Sequence, residues 1–532
     1  MNELHLIEER RLSQQERLDS RKSADERNEW GQFATPPALA LDILSLAERL
    51  WSGNGQVRFL DPAIGTGSFY SALLKVFGSD RIAASHGIEL DQPFAEMATS
   101  LWHETGLSVT NADFTTQCPP RHAKYNLLIS NPPYVRHHHM TAAYKDALKL
   151  KVFERVGIRT SGLAGLYASF LLLCDSWLEP GALSIWLIPS EFMDVNYGEA
   201  VRDYLTSRVE LLRIHRFFPS DVQFSDALVS SAVVVFRKNA AKTDAVVQMS
   251  FGGPLLDPKD SADVPVRTLR ESKKWSGFPN RRSRMGSSHA GVRLGDLFYI
   301  KRGLATGSNN FFILEIDEAE RAGIPKEFQR PILPGPRHLQ VEIIERDLDG
   351  YPLILPRLVL IDCSLPEDEI RHRHPSFWEY LQKGKTTGVH ETYLASKRRP
   401  WYSQEKRQPA PFVCTYMGRV RNGKKPFRII WNKSNATAAN VYLLMYPKPA
   451  LAAALTQTPE LYSVVFGHLQ SIESDTFVDE GRVYGGGLHK MEPKELAQVP
   501  LQGLADLLDS DSYKGQMALL FDANSANQIR CI

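Results

Sequence analysis

The feature that most limits the fold is a strand running directly into a glycine-bearing turn and then a helix, within a repeated strand and helix rhythm. Residues 57–60 form an apolar strand, Asp61-Pro62-Ala63-Ile64-Gly65-Thr66-Gly67 is the turn, and a helical pattern follows Gly67. Further strands are expected at 84–90, 125–130 and 182–188, with helices after Gln92 and around 163–178. Strands separated by helix-length segments pair in parallel, because a crossover helix returns the chain to the same end of the sheet. The strands at 209–217 and 228–237 follow too closely for such a crossover, so this pair is an antiparallel hairpin at the sheet edge. A Rossmann-like α/β domain is therefore expected over 31–240, with a first helix opening on Pro36 and Pro37, where absent amide donors cost nothing.

The rest of the 532-residue chain is organised around that domain. Residues 1–30 carry Glu and Arg at helical spacing with few apolar positions, which reads as a solvated helical arm. Residues 241–290 are rich in Gly, Pro, Ser, Asp and Lys and read as a connecting region. Residues 291–532 mix short apolar runs with Pro and Gly punctuation, a second domain of mixed α+β character. Five scattered cysteines without a CxxC pair encode neither a disulfide framework nor a zinc site, which suits a reducing cytoplasm. No apolar run reaches the roughly 18 residues of a membrane span, and the charged N-terminal stretch lacks a signal-peptide core. The net charge is only +2, but between Leu381 and Ile430 six Lys and six Arg face only Glu391 and Glu405. Such a cluster suits a polyanionic partner.

The turn after the first strand points to a nucleotide-type ligand. Gly65 and Gly67 let the backbone approach it, and Asp61 sits at the strand end. Three glycines of a dinucleotide fingerprint are absent. Glu89 closes the next strand, where a carboxylate can accept both ribose hydroxyls. In Asp113-Phe114 an acceptor and an aromatic stand ready for an adenine ring. Upstream, Gly31-Gln32-Phe33-Ala34-Thr35-Pro36-Pro37 places an aromatic and a hydroxyl just before a helix.

The strand 125–130 runs into Asn131-Pro132-Pro133-Tyr134. Two successive prolines hold the loop rigid, and the Pro132 carbonyl and the Asn131 side-chain oxygen form a fixed pair of acceptors. A planar amino group with two hydrogens matches them. Drawing on both hydrogens favours a pyramidal nitrogen whose lone pair can attack a methyl group, so positioning and electrostatics suffice without a strong base. Tyr134 can stack on an extruded base.

With these motifs in this order, residues 31–240 resemble the gamma-type amino-group DNA methyltransferases, the group of the TaqI adenine methylase, found in type II restriction-modification systems. The overall size and layout also resemble the XhoI group of modification methylases. The resemblance implies a class I S-adenosylmethionine-dependent fold followed by a target-recognition domain, with methylation of adenine N6. It implies that Phe33, Thr35, Pro36, Asp61, Ala63, Gly65, Gly67, Glu89, Asp113, Phe114 and Pro133 hold S-adenosyl-L-methionine, and that Asn131, Pro132 and Tyr134 are catalytic. It further implies a second aromatic against the flipped base, Phe218 first and Phe224 second. Asn126 and Ser130 depart from the family pattern, which usually has an acidic residue and a Gly or Ala at these positions.

The same tetrapeptide serves cytosine-N4 methylation and the methylation of a glutamine amide in release factors. The long basic second domain favours double-stranded DNA. Arg136, Lys397, Arg398, Arg399, Arg419, Arg421, Lys424 and Lys425 are the candidate phosphate contacts, interleaved with Trp401 and Tyr402. The stretches 301–307 and 484–490 have glycine-rich backbones beside cations and are further candidates. The run His137-His138-His139 is expected to bind no metal, since adjacent side chains diverge. A monomer acting beside a separate cognate restriction endonuclease, with no membrane partner, is the expected assembly.

Overall fold

The computed structural model describes residues 3–501 apart from 53–54, 123, 219–222, 224–229, 243, 280–291, 420–424 and 485–487. It divides into two compact units, Met1–Ser288 with Tyr484–Gly487, and His289–Val483 with Leu488–Ile532.

The first unit begins with helices α1 (Glu3–Asp19), α2 (Ala24–Trp30) and α3 (Pro37–Leu50). Strand β1 (Val57–Asp61), helix α4 (Ser68–Phe77), β2 (Ile82–Glu89), α5 (Gln92–Trp102), β3 (Leu107–Asn111) and β4 (Tyr125–Ser130) follow. Then come α6 (Ala142–Val156), α7 (Leu166–Leu173), β5 (Leu178–Pro189), α8 (Glu199–Ser207), β6 (Glu210–Arg216), β7 (Ser231–Arg237), β8 (Val246–Phe251), β9 (Asp260–Pro265) and α9 (Val266–Glu271). The sheet order is β3-β2-β1-β4-β5-β7-β6-β8-β9. Strands β1 to β5 pair in parallel, and β7 lies antiparallel between β5 and β6. This is the expected doubly wound sheet with its antiparallel hairpin.

Period-two alternation divides the buried side chains between the two faces of the sheet. Leu60, Leu128, Trp186 and Ile188 belong to a core with residues of α6, α7 and α8. Phe59, Leu127, Ile129, Ile185 and Leu187 belong to the other, with residues of α3, α4 and α5. The parallel strands β1, β2 and β4 all deliver their C-terminal ends to one side, where ligands of open α/β sheets bind.

Two features depart from the sequence reading. The hairpin is not the edge: β8 pairs in parallel with β6 and antiparallel with β9, so much of 241–290 continues the sheet. Val247, Met249 and Val264 supply the apolar side chains that the Gly- and Pro-rich composition concealed. The N-terminal arm is helical and largely exposed, but three of its side chains are buried against the fold. Arg11 and Leu18 are 1% and 4% exposed, and Glu8 is 6% exposed.

In the second unit, strands Phe298–Arg302, Tyr442–Pro447, Phe412–Thr415, Ile429–Asn432 and Ile343–Ile344 form one sheet in that order. A second contains Ile313–Glu315, Leu358–Ile361, Gln329–Leu333 and Thr437–Ala438. A third contains Met417–Arg419, Leu488–Lys490 and Arg482–Tyr484. Helices such as Pro375–Thr386 and Leu461–Ser471 complete a mixed α+β unit. Among the described residues no helix is long and apolar enough to cross a membrane.

Candidate active site

The end of β1, the turn after it and the end of β2 form one hydrogen-bonded unit. Glu89 accepts the Gly65 amide on Oε2 and the Asp91 amide on Oε1, each at 2.9 Å. Burial pushes the Glu89 carboxyl above its ordinary pKa, while these two amides favour the charged form. Asp61 is 1% exposed and accepts the Ala63 amide at 3.1 Å and the Ser130 hydroxyl at 2.8 Å, both on Oδ1. Burial raises its pKa to about 7, with the charge of Glu89 adding to the shift and the two donors opposing it.

The glycines are needed for different reasons. Gly67 has φ +90°, and a Cβ there would lie 2.5 Å from Nε1 of Trp102, whose indole N–H donates to the Thr66 carbonyl at 2.9 Å. Gly65 has φ +56°, and a Cβ there would meet no protein atom within 4 Å. It would stand in the cavity that Gly65 lines.

That cavity is walled by Phe33, Ala63, Glu89, Asp113, Phe114, Asn131 and Pro133, together with Tyr144, Leu166 and Phe170. Asp113 accepts the Thr115 amide and hydroxyl on Oδ1, both at 2.8 Å, and the Tyr144 hydroxyl on Oδ2 at 3.2 Å. Phe114 packs on Phe170 with ring centroids 5.0 Å apart.

Asn131 has the most informative geometry. Its Nδ2 donates to the Phe33 carbonyl at 2.9 Å and to Thr35 Oγ1 at 3.2 Å. A carbonyl only accepts, so the amide nitrogen must face Phe33 and the amide oxygen must face away. That oxygen is buried and has no hydrogen-bond partner among the described residues. Leaving such an acceptor unmet costs about 1–3 kcal/mol, so it marks a place for a donor. The 33–36 loop is fixed in turn, since Ser68 Oγ donates to the Thr35 carbonyl at 2.8 Å and Pro36 caps α3.

Tyr134 is 6% exposed, donates its hydroxyl to the Leu187 carbonyl at 3.1 Å, and lies 5.6 Å from the Phe33 ring, centroid to centroid. Its apolar body belongs to the core beneath the sheet end, and burial raises its pKa. It is not among the residues that wall this cavity. Pro132 is buried beside it. Phe218, just past β6, is half-buried against Phe251 at 4.8 Å, with Lys259 Nζ 5.1 Å from its ring centre. Phe224 lies outside the described residues.

Residues 85–224 match the family described as Eco57I restriction-modification methylase, and residues 283–529 match the C-terminal domain of the type II methyltransferase M.Eco57I. The type II methyltransferase M.XamI of Xanthomonas campestris pv. amaranthicola is 29% identical over 495 residues, covering 90% of this chain and 86% of that one. Over most of its length the chain is thus similar to type II restriction-modification methyltransferases. M.AccI of Acinetobacter calcoaceticus is 24% identical, covering 95% of this chain and 93% of its own. The fold of this methyltransferase is shared with the type IIL restriction-modification enzyme MmeI, solved in complex with DNA, at a TM-score of 0.52 and 14% identity, over 82% of this chain and 65% of that one. S-adenosylmethionine is its methyl donor, and the cavity fits that group: an open glycine cradle, a carboxylate at the second strand end, and Asp113 and Phe114 on the same wall.

The residues expected from sequence to contact DNA differ in their surroundings. Arg136, Lys397, Arg399 and Arg419 are exposed. Arg398 is committed to structure, its guanidinium donating to the carbonyls of Thr306 at 2.7 Å and Ala305 at 2.6 Å. Lys425 donates to the carbonyls of Gln470 at 2.9 Å and Ile472 at 3.0 Å. Arg421 and Lys424 lie outside the described residues. Trp401 and Tyr402 are 9% and 0% exposed and pack in an internal core, so they are not available for stacking on bases. The 301–307 stretch is packed, not loose: a Cβ on Gly303 would fall 2.1 Å from the Ala439 carbonyl oxygen. Of 484–490, the described Leu488–Lys490 pairs with Met417–Arg419. His137–His139 form a single tight turn whose neighbouring rings lie at 89° and 47° to each other.

The cavity walls missed from sequence include Gln15, Asp19, Trp30, Tyr144, Leu166 and Phe170. The one available signal in the arm is Glu8 and Arg11, spaced to pair on one helix face.

Proposed function

We propose that the chain transfers a methyl group from S-adenosylmethionine to N6 of an adenine extruded from double-stranded DNA, protecting that DNA from a separate cognate restriction endonuclease and acting as a monomer. The observation that carries this reading is the buried, unpartnered Oδ1 of Asn131, oriented by Phe33 and Thr35.

Bound S-adenosylmethionine supplies an electrophilic methyl group. Glu89 accepts the ribose hydroxyls, Asp113 and Phe114 bracket the adenine end, and Phe33, Ala63, Gly65 and Pro133 wall the remainder. Thr35, Pro36, Asp61 and Gly67 hold these groups in place. The Asn131 Oδ1 and the Pro132 carbonyl accept the two hydrogens of the target amine and aim its lone pair. Tyr134 anchors this loop through Leu187, and Phe218 stacks on the extruded base. Exposed Lys397, Arg399 and Arg419 meet phosphates, with Arg136 near the extruded nucleotide.

DNA as substrate is supported by the relatives' names and by the MmeI complex. Adenine rather than cytosine rests on the tetrapeptide and its motif order. Purified protein incubated with methyl-labelled S-adenosylmethionine and duplex DNA tests it. Label in N6-methyladenine is the expected result; label in N4-methylcytosine, or in a release-factor glutamine and not in DNA, contradicts it.

A further inference from the structure

The N-terminal arm is built onto the elements that shape the cofactor cavity. Arg11 donates to Glu8 through Nε at 2.8 Å and Nη2 at 2.7 Å, and its Nη1 donates to Thr66 Oγ1 at 3.2 Å. Ser71 of α4 donates to Glu8 Oε2 at 2.6 Å, and the Thr66 hydroxyl donates to Gln15 Oε1 at 2.7 Å. Farther along, Lys22 pairs with Asp91 and donates to Gln32 Oε1 at 2.7 Å. Thr66 lies between the two cradle glycines, and the Asp91 amide is held by Glu89. Gln15 and Trp30 are themselves walls of the cavity, and Trp30 is still 52% exposed.

We propose that residues 3–30 are a cofactor-binding element, with Gln15 and Trp30 contacting S-adenosylmethionine, so that docking of the arm and binding of the cofactor are one linked equilibrium. A buried Glu8–Arg11 pair is tolerable only where further donors and acceptors complete it, and Thr66 and Ser71 provide these only when the arm is docked. The arm is then part of the cavity wall, and the half-exposed Trp30 ring offers apolar surface for a ligand to cover. Linkage is reciprocal: a ligand that needs the docked arm must hold the arm down.

This inference rests on S-adenosylmethionine occupying the cavity, and it is independent of which base is methylated. The test uses the full chain without DNA and S-adenosylhomocysteine, the unreactive product, as probe. Hydrogen exchange of backbone amides in residues 3–30 slows when the probe is added to the wild-type protein. By calorimetry, Arg11→Ala and Trp30→Ala each bind it roughly tenfold or more weakly, Trp30→Phe keeps most of the affinity, and the apolar pair Glu8→Leu with Arg11→Met restores binding lost in Arg11→Ala. Unchanged exchange in the arm of the wild-type protein overturns the proposal, as does wild-type affinity in both Arg11→Ala and Trp30→Ala. The exchange measurement decides the matter even if a variant fails to fold.

Discussion

The Ser130 hydroxyl donates to Asp61 Oδ1 at 2.8 Å, joining the last residue of β4 to the last residue of β1 inside the protein. The serine that departs from the family's usual Gly or Ala thus supports the buried acid beside the cofactor turn. Ser130→Ala removes a donor to a buried carboxyl, so the variant loses about 1–3 kcal/mol of stability. Urea unfolding at pH 7 checks this.

Asp61 titrates near pH 7 in the folded protein, above its unfolded value of 3.8. Between those values the folded state holds more protons than the unfolded state, so stability falls as pH rises. This contribution is greatest below about pH 4, is lost progressively up to about pH 7, and amounts to on the order of 4 kcal/mol. The stability of the wild type relative to Asp61→Asn therefore declines from pH 5 to pH 7. A difference between the two that is flat or rising across this range counts against the assignment.

Gly31 has φ +61°, and a Cβ there would come within 2.3 Å of the Tyr134 amide nitrogen, which donates to the Gly31 carbonyl at 3.0 Å. The clash is with backbone, which cannot swing aside. Gly31→Ala displaces the 131–134 loop proposed to position the target amine, and misplacement of about 1 Å costs on the order of a hundredfold in rate. Steady-state methylation assays should show kcat falling by at least about tenfold.

Arg398 and Arg399 are predicted to respond differently to truncation. Arg398→Ala frees the carbonyls of Ala305 and Thr306 and lowers the melting temperature, whereas Arg399 is exposed and donates only to the neighbouring carbonyls of Ser396 at 3.0 Å and Arg398 at 2.8 Å, so Arg399→Ala lowers it less. Arg399→Ala instead weakens DNA binding and reduces the salt slope of log Kd by about one. The paired melting curves and salt titrations distinguish the two roles.

The α/β domain was legible because its parallel strands are buried on both faces and read as apolar runs, as in Tyr125–Ser130, and because its turns carry glycines that backbone geometry requires. Strand β3 was harder, since Leu107–Asn111 lies at the sheet edge with only Leu107 buried. The β8 and β9 strands were hidden by their setting among Pro, Gly and Asp. In the arm, charge alone reads as a sign of solvent, but Arg11 donates to both Glu8 and Thr66 within the fold. The order of Asp61, Glu89, Asp113 and Asn131 along the strand ends marked the site from sequence. The orientation of the Asn131 amide was not readable, because it depends on a carbonyl 98 residues away in the chain. Trp401 and Tyr402 show the converse failure, since a linear pattern of basic and aromatic residues does not say which side chains face inward.

The central claim is that Asn131 directs methyl transfer to adenine N6. It is tested most directly by nucleoside mass spectrometry of DNA from a methylation-free host expressing either the wild-type chain or Asn131→Ala. N6-methyladenine in the wild-type sample and its loss in the variant, with S-adenosylhomocysteine binding retained, is the predicted result. N4-methylcytosine in place of N6-methyladenine, or undiminished N6-methyladenine in Asn131→Ala, would contradict it.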